Sequence, residues 1–169
     1  MRRLLISIGP FWRGASLIEK AALVLATGFG AGLVRVAPGT VGTLFPGIPV
    51  VWAVGHLGWP AAAALVSGLG LLSVWVCGAA ARRLGRPDPP CVVIDEVVGL
   101  CVALFAVSPT PLALATGFAL FRLFDILKPW PVRWIDRNIR GGQGILLDDV
   151  VAGLLARAGV EALWRMGWL

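Results

Sequence analysis

Four carboxylates and five cations are interleaved over one stretch of this chain. Asp125, Asp136, Asp148 and Asp149 alternate with Arg122, Lys128, Arg133, Arg137 and Arg140 in FRLFDILKPWPVRWIDRNIRGGQGILLDDVVAG, from Phe121 to Gly153. Of the fifteen basic and nine acidic residues in the chain, nine lie between 122 and 149 and none between 36 and 81. Such interleaving suits a site that holds a cation beside a phosphate, because carboxylates fix the metal while Arg and Lys offset the ester's charge. A further acidic pair, Asp95-Glu96, directly follows PPCVVI. Adjacent ionised carboxylates at the edge of an apolar segment repel each other unless a cation lies between them. Asp95, Glu96, Asp125, Asp148 and Asp149 together can supply the oxygen-only shell that Mg2+ prefers, with positions left for water and a phosphate oxygen. The plainer reading of each pair is a helix N-terminus whose dipole favours acids. Recurrence of the pairs favours the cation.

Arg122, Asp125 and Lys128 are spaced i, i+3, i+6, which puts them along one side of a helix that stops before Pro129. In this reading Lys128, with Arg122 or Arg133, contacts the phosphate; a surface ion-pair ladder has the same spacing. The glycine-rich turns Gly28 to Gly32 and Pro38 to Thr43 can present backbone N–H groups to phosphate, with Thr40 a candidate substrate contact. Glycines also serve close packing of membrane helices, and Thr40 or Thr43 can cap a span. Cys77 and Arg83 have the C-x5-R spacing of thiolate phosphatases, but CGAAAR falls on an apolar helix where a thiol stays protonated. His56, the single histidine, sits away from every carboxylate.

Elements must bring these residues together across the sequence. With 58% apolar residues and a mean hydropathy of +0.86 over 169 residues, the chain reads as one membrane-embedded domain covering 1–169. The expected fold is all-α, a polytopic helical membrane protein with about four short spans plus flanking amphipathic helices. The charge-free run from 36 to 81 is long enough to cross twice, and Gly58-Trp59-Pro60 supplies the turn, giving helices at about 44–57 and 61–81. Ser108-Pro109-Thr110-Pro111 interrupts 97–121, which predicts a hairpin of two shorter helices. That hairpin returns Asp95 and Glu96 to the same face as Asp125. The turns at 58–60 and 108–111 are uncharged while the other connections carry Arg or Lys, so the charged face is expected in the cytoplasm. Residues 17–34 read as an interfacial helix, and a last helix is expected to begin at Asp148 with the acidic pair in its first turn. The basic N-terminus lacks a small-residue cleavage site, so no signal peptide is expected. Cys77, Cys91 and Cys101 have no metal-ligand spacing and read as packing residues. The net charge of +6 comes largely from Arg beside apolar segments, which favours anionic lipid over nucleic acid as a partner.

Three blocks, GFGAGLVRVAPGTVGTL, VVIDEVVGL and the long stretch from Phe121 to Gly153, together resemble the phosphatidylglycerophosphatase A family. The resemblance covers most of 21–153. It implies a Mg2+-dependent enzyme of the bacterial inner membrane that removes the terminal phosphate of phosphatidylglycerophosphate, with the site on the cytoplasmic face. Carried over by position, it implies Asp95, Glu96, Asp125, Lys128, Asp136, Asp148 and Asp149 as functional residues. Either a water or an Asp serves as nucleophile in this expectation. The rival readings are a small Mg2+ transporter, which needs ionisable groups at membrane mid-depth, and a non-catalytic membrane subunit.

Overall fold

The computed structural model describes residues 9–169; the start of the N-terminus, on which the signal-peptide expectation rests, lies outside the described residues. The described residues are helical, without a β-strand. A short α1 (Gly9–Trp12) leads to α2 (Leu17–Ala26), whose start is a capping box: the Ser16 hydroxyl accepts from the Glu19 N–H at 3.2 Å, and the Glu19 carboxylate accepts from the Ser16 N–H at 2.8 Å. The helix expected over 17–34 ends at Ala26, because Gly28, Phe29 and Gly30 all take positive φ and turn the chain away. That turn is pinned to the site region by the Val93 N–H, which donates to the Ala26 carbonyl at 2.8 Å.

The single helix expected at 44–57 is instead a bent run: α3 (Pro38–Gly42), a π-helical stretch Thr43–Gly47 and α4 (Ile48–Gly55). Pro46 has no N–H to donate, and the wider π turn carries it without a break. α5 (Trp59–Leu84) starts on Pro60 and stops at Gly85 in the left-handed conformation. It is about 39 Å long at helical rise. Among the described residues it is the one helix long and apolar enough to cross a membrane. α6 (Ile94–Ala103) and α7 (Pro111–Leu127) form the expected hairpin, the Thr110 hydroxyl capping α7 by accepting from the Ala113 N–H at 3.2 Å. α6 extends only about 15 Å. A cis Trp130–Pro131 peptide leads into α8 (Val132–Asn138), and α9 (Gly141–Arg165) completes the chain.

The last helix therefore begins seven residues before the expected start at Asp148, and its first turn holds no acid. What reads as a glycine loop is the entry to α9. Gly142 lies against the Val74 carbonyl and the Gly78 backbone of α5, and Gly153 against the Gly99 carbonyl of α6, places where any Cβ would collide with main chain. α9 is the central helix and packs on α5, α6, α7 and α8. Around it Leu100, Leu104, Phe121, Val132, Ala152, Ala156 and Val160 form the main core, and Leu23, Val76, Cys77, Ala80 and Ile145 a second. The three cysteines are buried within this packing and form no disulfide. Outward from the bundle, Trp52, Leu65, Leu71, Trp75, Leu112, Leu123 and Leu154 are exposed.

Chain direction decides which side chains meet. α6 and α9 run away from one end of the bundle while α5 and α7 run toward it, so the start of α6, the end of α7 and the first half of α9 share that end. The turns 58–60 and 108–111 at the opposite end are uncharged, and the charge there comes from α9. Arg157 of α9 donates to the Phe105 carbonyl beside the α6–α7 turn at 3.1 Å and pairs with Glu161 at 3.0 Å.

Candidate active site

Seven of the nine acidic residues of the chain line a single cavity of about 480 Å³ at the shared end: Asp88, Asp95, Glu96, Asp125, Asp136, Asp148 and Asp149. Four cations line it as well: Arg122, Lys128, Arg137 and Arg140. Seven carboxylates against four cations leave a formal excess of three negative charges, so a phosphate dianion enters only with further positive charge or protons beside it.

The deep wall is made by Asp95 on α6 and by Asp148 and Asp149 on α9, which retain 6%, 6% and 4% of their exposure. The Gly99–Gly153 contact sets their spacing, since Asp95 and Asp149 each sit four residues, about one turn, before the contacting glycine. Asp95 Oδ1 and Asp148 Oδ1 are buried without a hydrogen-bond partner. Each of these oxygens is desolvated without a hydrogen bond of its own, although Asp148 is paired with Lys128 through Oδ2.

Arg122 joins two of the remaining acids. Its Nη1 lies 3.0 Å from Glu96 Oε1 and 2.6 Å from Asp125 Oδ2, while its Nε is buried and unpartnered. Glu96 is held by α3 and the start of the π-helical stretch: the Thr43 hydroxyl is 3.1 Å from Glu96 Oε2 and 2.7 Å from the Gly39 carbonyl, and Gly39 itself lies against the Glu96 carboxylate, where a Cβ would collide. Lys128 is not on the helix with Arg122 and Asp125, as the i, i+6 spacing suggested. It caps α7 in the left-handed conformation at φ 43, which swings its ammonium onto Asp136 of α8 and Asp148 of α9. Burial opposes the ammonium's charge, but the hydrogen bonds to Asp136 and Asp148 outweigh it and hold the Lys128 pKa above its ordinary value.

The structure thus brings Asp95, Glu96, Arg122, Asp125, Lys128, Asp136, Asp148 and Asp149 together across four helices. Two expected substrate contacts lie elsewhere. Arg133 donates to the Leu127 carbonyl at 3.3 Å and does not line the cavity; neither does Thr40, whose neighbours Pro38 and Gly39 do. Sequence reading passed over Asp88, named Arg137 and Arg140 only as part of the charged stretch, and took Thr43 for a helix cap. Asp88 stands alone between prolines with no acidic neighbour in sequence, and the Arg137 and Arg140 signal lay in the dense stretch itself.

As the side chains stand, no three Asp, Glu, His or Cys residues among those described converge closely enough to hold a metal ion. The donor set nevertheless suits a hard cation. It is oxygen-only, it carries excess negative charge, and two of its buried oxygens lack partners.

Residues 24–164 match the family model described as phosphatidylglycerophosphatase A. The chain is similar to the Escherichia coli (strain K12) protein named phosphatidylglycerophosphatase A, at 40% identity over 135 residues, covering 79% of this chain and 77% of that one. It is similar to the Haemophilus influenzae protein of the same name at 38% identity, covering 79% and 82% of the two chains. A Bacteroides thetaiotaomicron protein named, provisionally, as a phosphatidylinositol-3-phosphatase is 37% identical, covering 78% and 86%. No solved structure matches the chain.

Proposed function

Because the chain belongs to the phosphatidylglycerophosphatase A family, we propose that it hydrolyses the terminal phosphomonoester of phosphatidylglycerophosphate, giving phosphatidylglycerol and inorganic phosphate. The observation that carries this reading is the convergence of seven carboxylates with Arg122 and Lys128 in one cavity at the end of an apolar bundle. A phosphomonoester projecting from a lipid reaches such a cavity while its acyl chains stay beside the exposed Leu and Trp side chains of the outer surface.

The resident cofactor in this proposal is Mg2+, with Asp95, Asp148 and Asp149 as its holders and Glu96 and Asp125 completing the set. When bound it polarises the phosphoryl group and lowers the pKa of a water. The residues of the chain do the rest. Arg122 and Lys128 each sit between two carboxylates and carry the donors that would meet the phosphate's oxygens. Asp136 holds the Lys128 ammonium in place. Thr43 and Gly39 fix the Glu96 carboxylate. Either a water or one of the aspartates attacks phosphorus.

The bundle in this proposal is embedded in the bacterial inner membrane with the cavity at the cytoplasmic face. α5 crosses outright, while the bent α3–α4 run and the α6–α7 hairpin supply the further, shorter passes. The exposed apolar side chains on α4, α5, α7 and α9 support this placement. Phosphate release from phosphatidylglycerophosphate by purified protein in detergent, with Mg2+ and then with excess chelator, tests the activity. Absence of release sinks the phosphatase reading; release that survives the chelator sinks the metal.

A further inference from the structure

Charge is not spread evenly through the cavity. Its buried wall is acidic, Asp95, Asp148 and Asp149 being almost fully covered, whereas Arg137 and Arg140, from the end of α8 and the residue before α9, line it from exposed positions. The inner cations, Arg122 and Lys128, are each engaged by two carboxylates. Arg137 and Arg140 have no ion pair or side-chain hydrogen bond among the described residues. Two guanidinium groups at a cavity mouth with no acidic partner are available for a ligand's anion, and their planar fork suits a phosphate's oxygens.

Phosphatidylglycerophosphate carries two phosphates. The terminal monoester requires the carboxylate wall and its cation; the internal phosphodiester, which joins the glycerol to the diacylglycerol, is a monoanion with no need of metal. From this asymmetry we infer that Arg137 and Arg140 bind the internal phosphodiester, and so select lipids that carry a diester behind the monoester. The inference rests on the phosphatase reading and deepens it. The monoester then sits inward against the acids, the diester sits at the arginines, and the acyl chains leave from the mouth. Reversed, the monoester would lie at exposed arginines away from the buried carboxylates.

The test uses the purified full chain in mixed micelles, with phosphatidylglycerophosphate as substrate and two inhibitors: phosphatidylglycerol, which has the diester alone, and inorganic phosphate, which mimics the monoester. Arg137→Gln/Arg140→Gln is expected to raise KM for the substrate and the inhibition constant of phosphatidylglycerol by about tenfold, each tenfold corresponding to about 1.4 kcal/mol. The inhibition constant of inorganic phosphate rises by a clearly smaller factor. The Arg→Lys pair, which keeps charge and loses the fork, falls between wild type and the Gln pair. An equal shift for both inhibitors, or none for phosphatidylglycerol, overturns the assignment while leaving an active enzyme. A wild-type protein that releases no phosphate refutes instead the phosphatase reading beneath it. Circular dichroism of both variants excludes misfolding as the source of any loss.

Discussion

Gly153 of α9 rests on the carbonyl oxygen of Gly99 of α6, and one turn toward the cavity from this contact stand Asp149 and Asp95. The two helices run in the same direction here, so the spacing of their backbones is also the spacing of two buried carboxylates. Gly153→Ala pushes a Cβ into main chain that has no rotamer to change. It is expected to cost about 1–3 kcal/mol of stability, the usual range for overpacking, and to lower kcat by more than the thermal shift alone accounts for. A variant whose kcat survives a clear fall in Tm separates the crossing from the chemistry.

Asp95→Asn and Asp149→Asn remove buried negative charge from a wall where the carboxylates oppose one another. Each is expected to lower phosphate release by at least about a hundredfold, the scale of losing a metal ligand or its orienting partner. In metal-free buffer each should leave the melting temperature level or raised, since the isosteric amide relieves a desolvated charge. Retention of full turnover by Asp149→Asn would remove that residue from the site.

Lys128→Met leaves Asp136 and Asp148 without their shared ammonium. Loss of activity and a destabilisation of about 1–3 kcal/mol are expected, the cost of unpaired charged acceptors. The pKa of Lys128 is raised in the fold, so its stabilising share is complete below the unfolded lysine value of about 10.4 and fades as pH rises beyond it. Chemical-denaturation midpoints of wild type and variant should therefore differ at pH 8 and 9 and converge only above about pH 10.

Mg2+ is expected to raise the melting temperature of the wild type in a concentration-dependent way, the added stability reaching about 2.7 kcal/mol at a hundredfold excess over its dissociation constant. Asp148→Asn should blunt that shift. A melting temperature indifferent to Mg2+ in both proteins counts against the carboxylate wall as the cation's seat.

Arg133→Gln is expected to keep kcat/KM within about twofold of wild type, because an exposed side chain outside the cavity, bonded to a backbone carbonyl, contributes little. Arg122→Gln, with two carboxylates released and a buried partner lost, should cost at least tenfold. Steady-state kinetics of the two side by side check the correction.

These contrasts show which parts of the molecule could be read from residues alone. Pro109 and Pro111 carry their own geometry, so the α6–α7 hairpin was legible, and with it the return of Asp95 and Glu96 to the side of Asp125. Glycine is ambiguous. The run Gly141 to Gly144 reads as a loop in sequence, yet Gly142 is needed without a side chain because α9 touches α5 there, so the helix starts earlier and the Asp148-Asp149 pair falls in its third turn. The end of α7 was misjudged for a related reason: spacing cannot reveal that Lys128 leaves the helix in a left-handed turn and reaches across to α8 and α9. Asp88 had no local signature at all, since its neighbours in the site come from other elements.

Gathering seven acids around one cavity leaves only Glu19 and Glu161 elsewhere, and both already face arginines. The charged side chains outside the cavity are consequently mostly cationic, set among exposed apolar ones. Anionic lipid head groups beside such side chains would be attracted to them, an attraction that rising ionic strength weakens. Confining negative charge to one cavity leaves the rest of the molecule with a positive balance.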